Sequence, residues 1–592
     1  MTASVDDDLK GELRLRYLRG DNSEEKGKGG EFRTRYSKLG DIVHSSPVYE
    51  NYGTYGVIYG GANDGMLHAI NADTGAELFA YVPDLSFQYL HQLPLAEPDF
   101  KHRFYVDATP HVKDTGDPAV AGNLGKILVG GLGKGGKGYF ALDVNTPLLS
   151  DESNADTWVK WEYPKPTSTA AEKDNMGFSF SGAFVVRSYD PAHKWVVIFG
   201  NGYSSTSGTA ALYVLDADTG DMLAMLDTGT AGTENGMSTP IPVDVDSDNK
   251  VDFVYAGDLN GNLWKFDLRD PDHTNWRSFF GTDALADGGN GNGIVDGAET
   301  VQPLFTARGR QREADGSYVS MVTWDQPITT RPAVIRLCEK TKAGYLVLFG
   351  TGQQLGQADA NNTEYQTVYG VWDYGEEAAE YLGEFKRGAG EELSNQHSTV
   401  KLLEQVVDYW GPNPFNINQQ LRVLSDYQPD WETFIITGRP KVHAGWYFDL
   451  PLSKERVIRE IVVRDNKLIF ISSIPENDPC AAGGKSIVHE LDACTGGRLP
   501  TAQFDINGDG EIDEKDMIKL KDSSGNDILD GDGNPIWVAP TGIMFDSMMY
   551  PPIFLKMGEE ELKHFSTSAG NVMSMKEKSE QTGMFYWRQI ER

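Results

Sequence analysis

Cysteine is scarce in this chain of 592 residues, with only Cys338, Cys480 and Cys494. So low a count neither demands nor excludes an oxidising compartment. No run of about 18 apolar residues occurs, which excludes a membrane-spanning helix of the ordinary kind. The opening residues Met1-Thr2-Ala3-Ser4-Val5-Asp6-Asp7-Asp8 have no basic n-region and no apolar h-region. No signal peptide is expected here, so an exported protein would correspond to a mature form or a fragment. Positive charge is also in deficit: 53 Lys and Arg face 87 Asp and Glu, for a formal net charge of −34. Neutralising nucleic-acid phosphates requires a basic face, so nucleic acid is not an expected partner and cations are the natural counter-species.

What the chain has is glycine and short apolar segments. Gly occurs 65 times, above the ~7% average, and this suggests many tight turns between strands. One unit reads Gly56–Ala62, turn Asn63-Asp64-Gly65, strand Met66–Ile70, turn Asn71-Ala72-Asp73-Thr74-Gly75, strand Glu77–Val82. The second turn returns as Asp216-Ala217-Asp218-Thr219-Gly220 and as Asp492-Ala493-Cys494-Thr495-Gly496. Asn-Asp-Gly and Thr-Gly supply the positive-φ positions that hairpins need. Units of this kind fall near 41–83, 104–147, 178–229, 237–268, 330–373, 440–500 and 543–590. Repeated strands without helical periodicity predict an all-β fold, a modified β-propeller of about seven blades. Met584–Ile590 would complete the ring. Residues 1–40 read as a polar lead segment and 41–592 as the propeller, with long insertions near 148–176, 270–329, 375–438 and 500–542.

Two stretches point to calcium. Asp244, Asp246, Asp248, the Lys250 carbonyl and Asp252 occupy relative positions 1, 3, 5, 7 and 9, the first arc of a calcium loop, with Asn249 at the sharp turn. Carboxylates so close repel one another unless a cation sits between them, and no Cys or His in the loop favours a softer metal. In the last insertion Asp505, Asn507, Asp509, Glu511, Asp513 and Asp516 fit a complete twelve-residue, EF-hand-like loop, with Gly510 at position 6. Asp516 replaces the usual Glu at position 12, a shorter arm expected to bind more weakly. Asp287–Glu299 has the right tail but one residue too many, and Asp530–Asn534 reads as a plain turn.

Other signals are weaker. Cys480 and Cys494 flank a glycine-containing hairpin, so a disulfide between them is expected, with Cys338 as a core cysteine. Gly131–Gly138 resembles a phosphate loop but lacks the Ser/Thr and the following helix. The 11 His include no pair at metal-binding helix spacing, and His68 and His489 fall in repeat strands where packing explains them. Arg19-Gly20-Asp21 reads as a simple turn. Nothing in the sequence assembles a catalytic site, and no enzyme is expected.

Taken together, several motifs resemble the C-terminal propeller of the PilC/PilY family of type IV pilus biogenesis factors and tip adhesins. They include Leu39-Gly40-Asp41-Ile42-Val43-His44-Ser45-Ser46-Pro47, Ala62-Asn63-Asp64-Gly65-Met66-Leu67-His68-Ala69 and Tyr255-Ala256-Gly257-Asp258-Leu259-Asn260-Gly261-Asn262-Leu263-Trp264. Gly445-Trp446-Tyr447, Thr495-Gly496-Gly497-Arg498 and Trp587-Arg588-Gln589-Ile590 extend the likeness to the end of the chain. The resemblance implies a modified seven-bladed propeller, a calcium loop at Asp244–Asp252 and export to the cell surface, at the pilus tip or outer membrane. It also implies calcium-dependent control of pilus extension against retraction, minor pilins as partners, and adhesion to a host or abiotic surface. Two alternatives stay open at this point. A quinoprotein dehydrogenase shares the strand-Asp-Ala-x-Thr-Gly-strand repeat, although no Cys-Cys pair occurs here, and a lectin-like propeller would bind without catalysis.

Overall fold

The structure is a computed structural model that describes residues 5–578 apart from 230–233, 283–299, 313–317, 375–380, 388–391, 394–399, 435–439, 477–482, 523 and 558–559. Its strands form six blades of antiparallel sheet. The first comprises Val48–Asn51, Gly56–Gly61, Leu67–Asn71 and Glu77–Tyr81, hydrogen-bonded in chain order. His111–Asp114, Lys126–Gly131, Tyr139–Asp143 and Val159–Tyr163 make the second, and Phe184–Arg187, Trp195–Gly200, Ala211–Asp216 and Met222–Asp227 the third. The fourth has Ile241–Val243, Phe253–Gly257 and Asn262–Asp267, with its outer edge shared by Arg277–Ser278 and Phe305–Thr306. The fifth has Ala333–Arg336, Tyr345–Gly350, Thr367–Asp373 and His443–Asp449. The sixth is built on Lys467–Pro475 and Gly484–Asp492, flanked by Arg456–Val457 and Gly542–Phe545.

Among the described residues the count is six where the repeat spacing suggested about seven. Gly542–Phe545 opens what reads as a seventh unit, but it lies inside the sheet of the sixth blade, with Ile543 opposite Val488 on one side and Leu421 of Asn416–Leu424 on the other. The remaining strands Ile553–Met557, Glu560–Ser566 and Val572–Lys578 form a separate three-stranded sheet. Phe565 and Met549 dock it onto the core of blade six. The closing segment Met584–Ile590 lies outside the described residues. Part of the insertion near 375–438 is structural too: Gly383–Lys386 pairs in parallel with Phe305–Thr306, and Lys401–Gln405 with His443–Asp449. These strands join the sheets of blades four and five. In the insertion near 148–176, Val159–Tyr163 is the fourth strand of blade two.

Apolar faces of adjacent blades pack against one another. Leu67 and Tyr59 of blade one meet Phe140 and Leu142 of blade two, and Tyr139 of blade two meets Phe199 and Tyr213 of blade three, all buried. The Thr-Gly turns belong to this packing. Asn71, Asp216 and Asp492 each accept hydrogen bonds from the backbone N–H groups two and three residues on, which fixes the same turn three times. Gly220 and Gly496 lie at φ of 70° and 71° under Trp161 and Trp446 of the preceding blade. An added Cβ would sit 2.5 and 2.2 Å from those rings, so glycine is required twice over there.

Burial also decides the cysteines. Cys494, in the third of these turns, faces blade five and is bonded to Cys338, with Cα atoms 5.9 Å apart. The expected Cys480–Cys494 bridge is therefore not formed, because the turn points at its neighbour rather than back into its own hairpin. Cys480 itself lies outside the described residues. The lead segment differs as well: Val5–Leu18 is helical, and Tyr17 is buried between Phe32 and the Arg35 guanidinium. Glu25, in the segment read as a polar lead, is buried in an ion pair with Arg35 at 2.9 Å.

His68, in the third strand of blade one, contacts Glu77 at 2.6 Å and Asp64 at 3.1 Å. Burial lowers its affinity for a proton, but Asp64 and Glu77 more than offset this and leave it above the ordinary 6.5. A base whose folded-state pKa is raised contributes stability that is complete below its unfolded value and is lost as pH rises through the folded value. Replacing His68 by Gln is therefore expected to lower the melting temperature at pH 6 and to matter less at pH 9, in a thermal melt series across that range.

Candidate metal centre

The loop Asp244–Asp252 connects the first two strands of blade four, where a short apolar strand, Ile241–Val243, hands over to Phe253–Gly257. Its chain is wound by its own carboxylates. Asp244 accepts from the N–H groups of Ser247 at 2.6 Å and Asn249 at 2.7 Å, Asp246 from Asp248 at 3.0 Å, and Asp248 from Lys250 at 2.8 Å. Asn249 adopts φ 66° and Ser247 φ 68°, the left-handed conformations that curl the loop. Asp252 closes it by accepting from Val245 N–H at 2.6 Å.

Oxygens of Asp244, Asp246 and Asp252 lie within 4.8 Å of one another, and Asp244 and Asp252 are buried. Asp248 is not in that group, since its other oxygen holds the Lys250 ammonium at 2.8 Å. Burial pushes the Asp244 and Asp252 carboxyls up, and repulsion from neighbouring carboxylates pushes them further. A set of hard oxygens, anionic and half-desolvated, fits an oxygen-seeking dication such as calcium. A residue that the sequence did not suggest completes the surroundings. Tyr189, in the hairpin of blade three, donates from its hydroxyl to Asp252 at 2.8 Å and stacks under Lys250, whose ammonium is 4.2 Å from the ring. Nothing in the loop's own pattern points to a tyrosine from another blade.

The loop Asp505–Asp516 has the same winding. Asp505 accepts from Gly508 at 2.6 Å and Gly510 at 2.9 Å, Asn507 from Asp509 at 2.8 Å, and Asp509 from Glu511 at 2.9 Å. Asp516 is buried and takes the N–H groups of Ile506 and Asp513. The side chains do not converge, however: no three carboxylates of this loop come together as those of Asp244, Asp246 and Asp252 do. The Lys515 ammonium lies 2.9 Å from Asp513 and 3.6 Å from Asp509. Asp287–Glu299 lies outside the described residues. At Arg19-Gly20-Asp21 both charges are engaged, Arg19 with the distant Glu152 and Asp21 with the nearby Arg16.

The PilY1 beta-propeller domain family matches residues 44–405, more than half of the chain and inclusive of the Asp244–Asp252 loop. The chain belongs to the PilY1 family. The type IV pilus biogenesis factor PilY1 of Pseudomonas aeruginosa strain PAK is 32% identical over 547 residues, covering 86% of this chain and 42% of the relative. A PilY1 homolog of Xylella fastidiosa is 31% identical over 535 residues, covering 82% of this chain and 31% of the relative. The chain thus spans less than half the length of these PilY1 relatives. Among solved structures, the Pseudomonas aeruginosa PilY1 C-terminal domain superposes with a TM-score of 0.60 at 27% identity, covering 89% of this chain and 95% of that one. Among the described residues no helix is long and apolar enough to cross a membrane.

Proposed function

We propose that this chain is the calcium-binding, non-enzymatic propeller of a type IV pilus biogenesis factor. In this reading it is exported, works at the pilus tip or outer surface with minor pilins, supports extension against retraction, and attaches to a host or abiotic surface. Membership of the PilY1 family supports the pilus role. The observation that carries the calcium reading is the convergence of the Asp244, Asp246 and Asp252 oxygens within 4.8 Å of one another. Calcium would be held by those three carboxylates with the Lys250 carbonyl, and Asp248 would join by releasing the Lys250 ammonium. Asp505, Asn507, Asp509, Glu511, Asp513 and Asp516 form a second, weaker proposed site, which requires the exposed Lys515 to swing out. The bound ion would neutralise the loop's repulsion and so order it, switching a surface by order and disorder rather than by chemistry.

Calcium titrated calorimetrically into chelator-stripped protein is expected to show two sites of ~10⁻⁵–10⁻³ M, the weaker part of the range for such loops. Asp246→Asn should remove one and Asp509→Ala the other. At a hundredfold excess over the dissociation constant each site adds about 2.7 kcal/mol to stability, visible as a rise in melting temperature. Absence of saturable heat would sink the calcium reading. In cells, Asp246→Asn in the full-length protein is expected to reduce surface piliation, and unchanged piliation would separate the pilus role from the loop.

A further inference from the structure

We infer that Asp190, His193 and His273 form a second kind of metal site, one for a zinc-class divalent transition metal, where loops of blades three and four meet. Asp190 and His193 sit in the hairpin between Phe184–Arg187 and Trp195–Gly200, and His273 opens the short helix His273–Asn275 after blade four. One potential ligand atom from each lies within 4.8 Å of the other two. The imidazoles stand nearly perpendicular, at 89°, with centroids 5.1 Å apart.

The donor set distinguishes this cluster from the carboxylate loop. Two imidazole nitrogens and one carboxylate oxygen suit zinc and its neighbours, whereas calcium seeks oxygen alone. The hairpin is pre-organised: Asp190 accepts from Ala192 N–H at 2.8 Å, and Ser188 donates to the His193 carbonyl at 2.6 Å. His193 Nδ1 is held by Asp216 at 2.8 Å, the carboxylate–histidine arrangement that fixes the ring and leaves Nε2 for a metal. His273 Nδ1 faces the other Asp190 oxygen at 2.8 Å. Asp190 and Asp216 are both mostly buried while the two rings are about one quarter exposed, so the site is open to solvent on its imidazole side. Three protein ligands with an open side leave room for a water. The metal would clip blade three to blade four one residue away from Tyr189, the group that steadies Asp252.

Zinc titrated into chelator-stripped protein, with calcium present in excess, is expected to bind with one equivalent and to raise the melting temperature. His193→Gln combined with His273→Gln should abolish that binding in a metal-free variant whose far-ultraviolet circular dichroism matches that of the parent. Asp216→Asn, which keeps an oxygen for the turn as Asn71 does in its own turn but removes the charge facing His193, should weaken zinc by ~10–100-fold. X-ray absorption at the zinc edge of the loaded parent protein should show two imidazoles. No saturable zinc binding, binding unchanged by the double substitution, or an edge spectrum without imidazole scattering would each overturn the assignment. The calcium sites are titrated separately, so their failure leaves this result standing.

Discussion

Replacing Glu455 by Ala is expected to destabilise the protein by about 3–5 kcal/mol, the cost of leaving a buried charge without its partner. Glu455 receives two parallel hydrogen bonds from the Arg422 guanidinium, at 2.7 and 2.9 Å, and both side chains are fully buried. It also accepts from the Ser472 hydroxyl at 2.6 Å and from Leu452 N–H at 3.2 Å. Ser472 in turn contacts His489 at 3.1 Å, and burial together with the Arg422 charge keeps that histidine well below its ordinary value, hence neutral. Removing the carboxylate strands Arg422 in an apolar setting beside Phe448 and Trp410. The pair links Asn416–Leu424, which comes from an insertion, to the edge of blade six, so the loss is expected there first. Urea unfolding of Glu455→Ala, Arg422→Met and the double variant tests this. The double change should cost clearly less than Glu455→Ala alone, because it removes both charges, and purely additive losses would contradict the account.

Breaking the Cys338–Cys494 bridge is the second large effect. The bridge spans 156 residues, and in the chain-entropy treatment closing a loop that long restricts the unfolded ensemble by about 5 kcal/mol. Cys338→Ser and Cys494→Ser should each lower the unfolding midpoint by a similar amount, with the double variant no worse than either. Cys480→Ser should leave the midpoint unchanged. A large loss from Cys480→Ser would restore the alternative pairing.

These residues show where reading the sequence succeeds and where it stops. The Thr-Gly turns are local: Asn71, Asp216 and Asp492 bind N–H groups two or three residues away, so their chemistry is contained in the motif. Asp244, Asp246 and Asp252 are legible for the same reason, since the loop that gathers them is wound by its own backbone. Asp248 stands apart from that group because the neighbouring Lys250 ammonium holds one of its oxygens, a contest that spacing does not describe. Blade number, the cysteine pairing and the cluster of Asp190, His193 and His273 all depend on which segments become neighbours across blades. Gly542–Phe545 finds its partner beyond a long insertion, and Cys494 finds a residue of the preceding blade. No helical His pair exists to announce a transition-metal site, because its two imidazoles come from different blades. The helix Val5–Leu18 was hidden by its own polarity, being tied down mainly through Tyr17 and Arg35.

The cross-link between blades five and six carries a mechanical consequence. When the two ends of the chain are pulled apart, the residues between Cys338 and Cys494 cannot pay out, and a covalent shunt carries the load past them. Those 156 residues would otherwise add roughly 500 Å of extended chain. Most of blade five and the central hairpin of blade six are thus shielded from tension for as long as the bond is intact. Under a steady pull, the first four blades and the terminal sheet form the extensible part of the molecule.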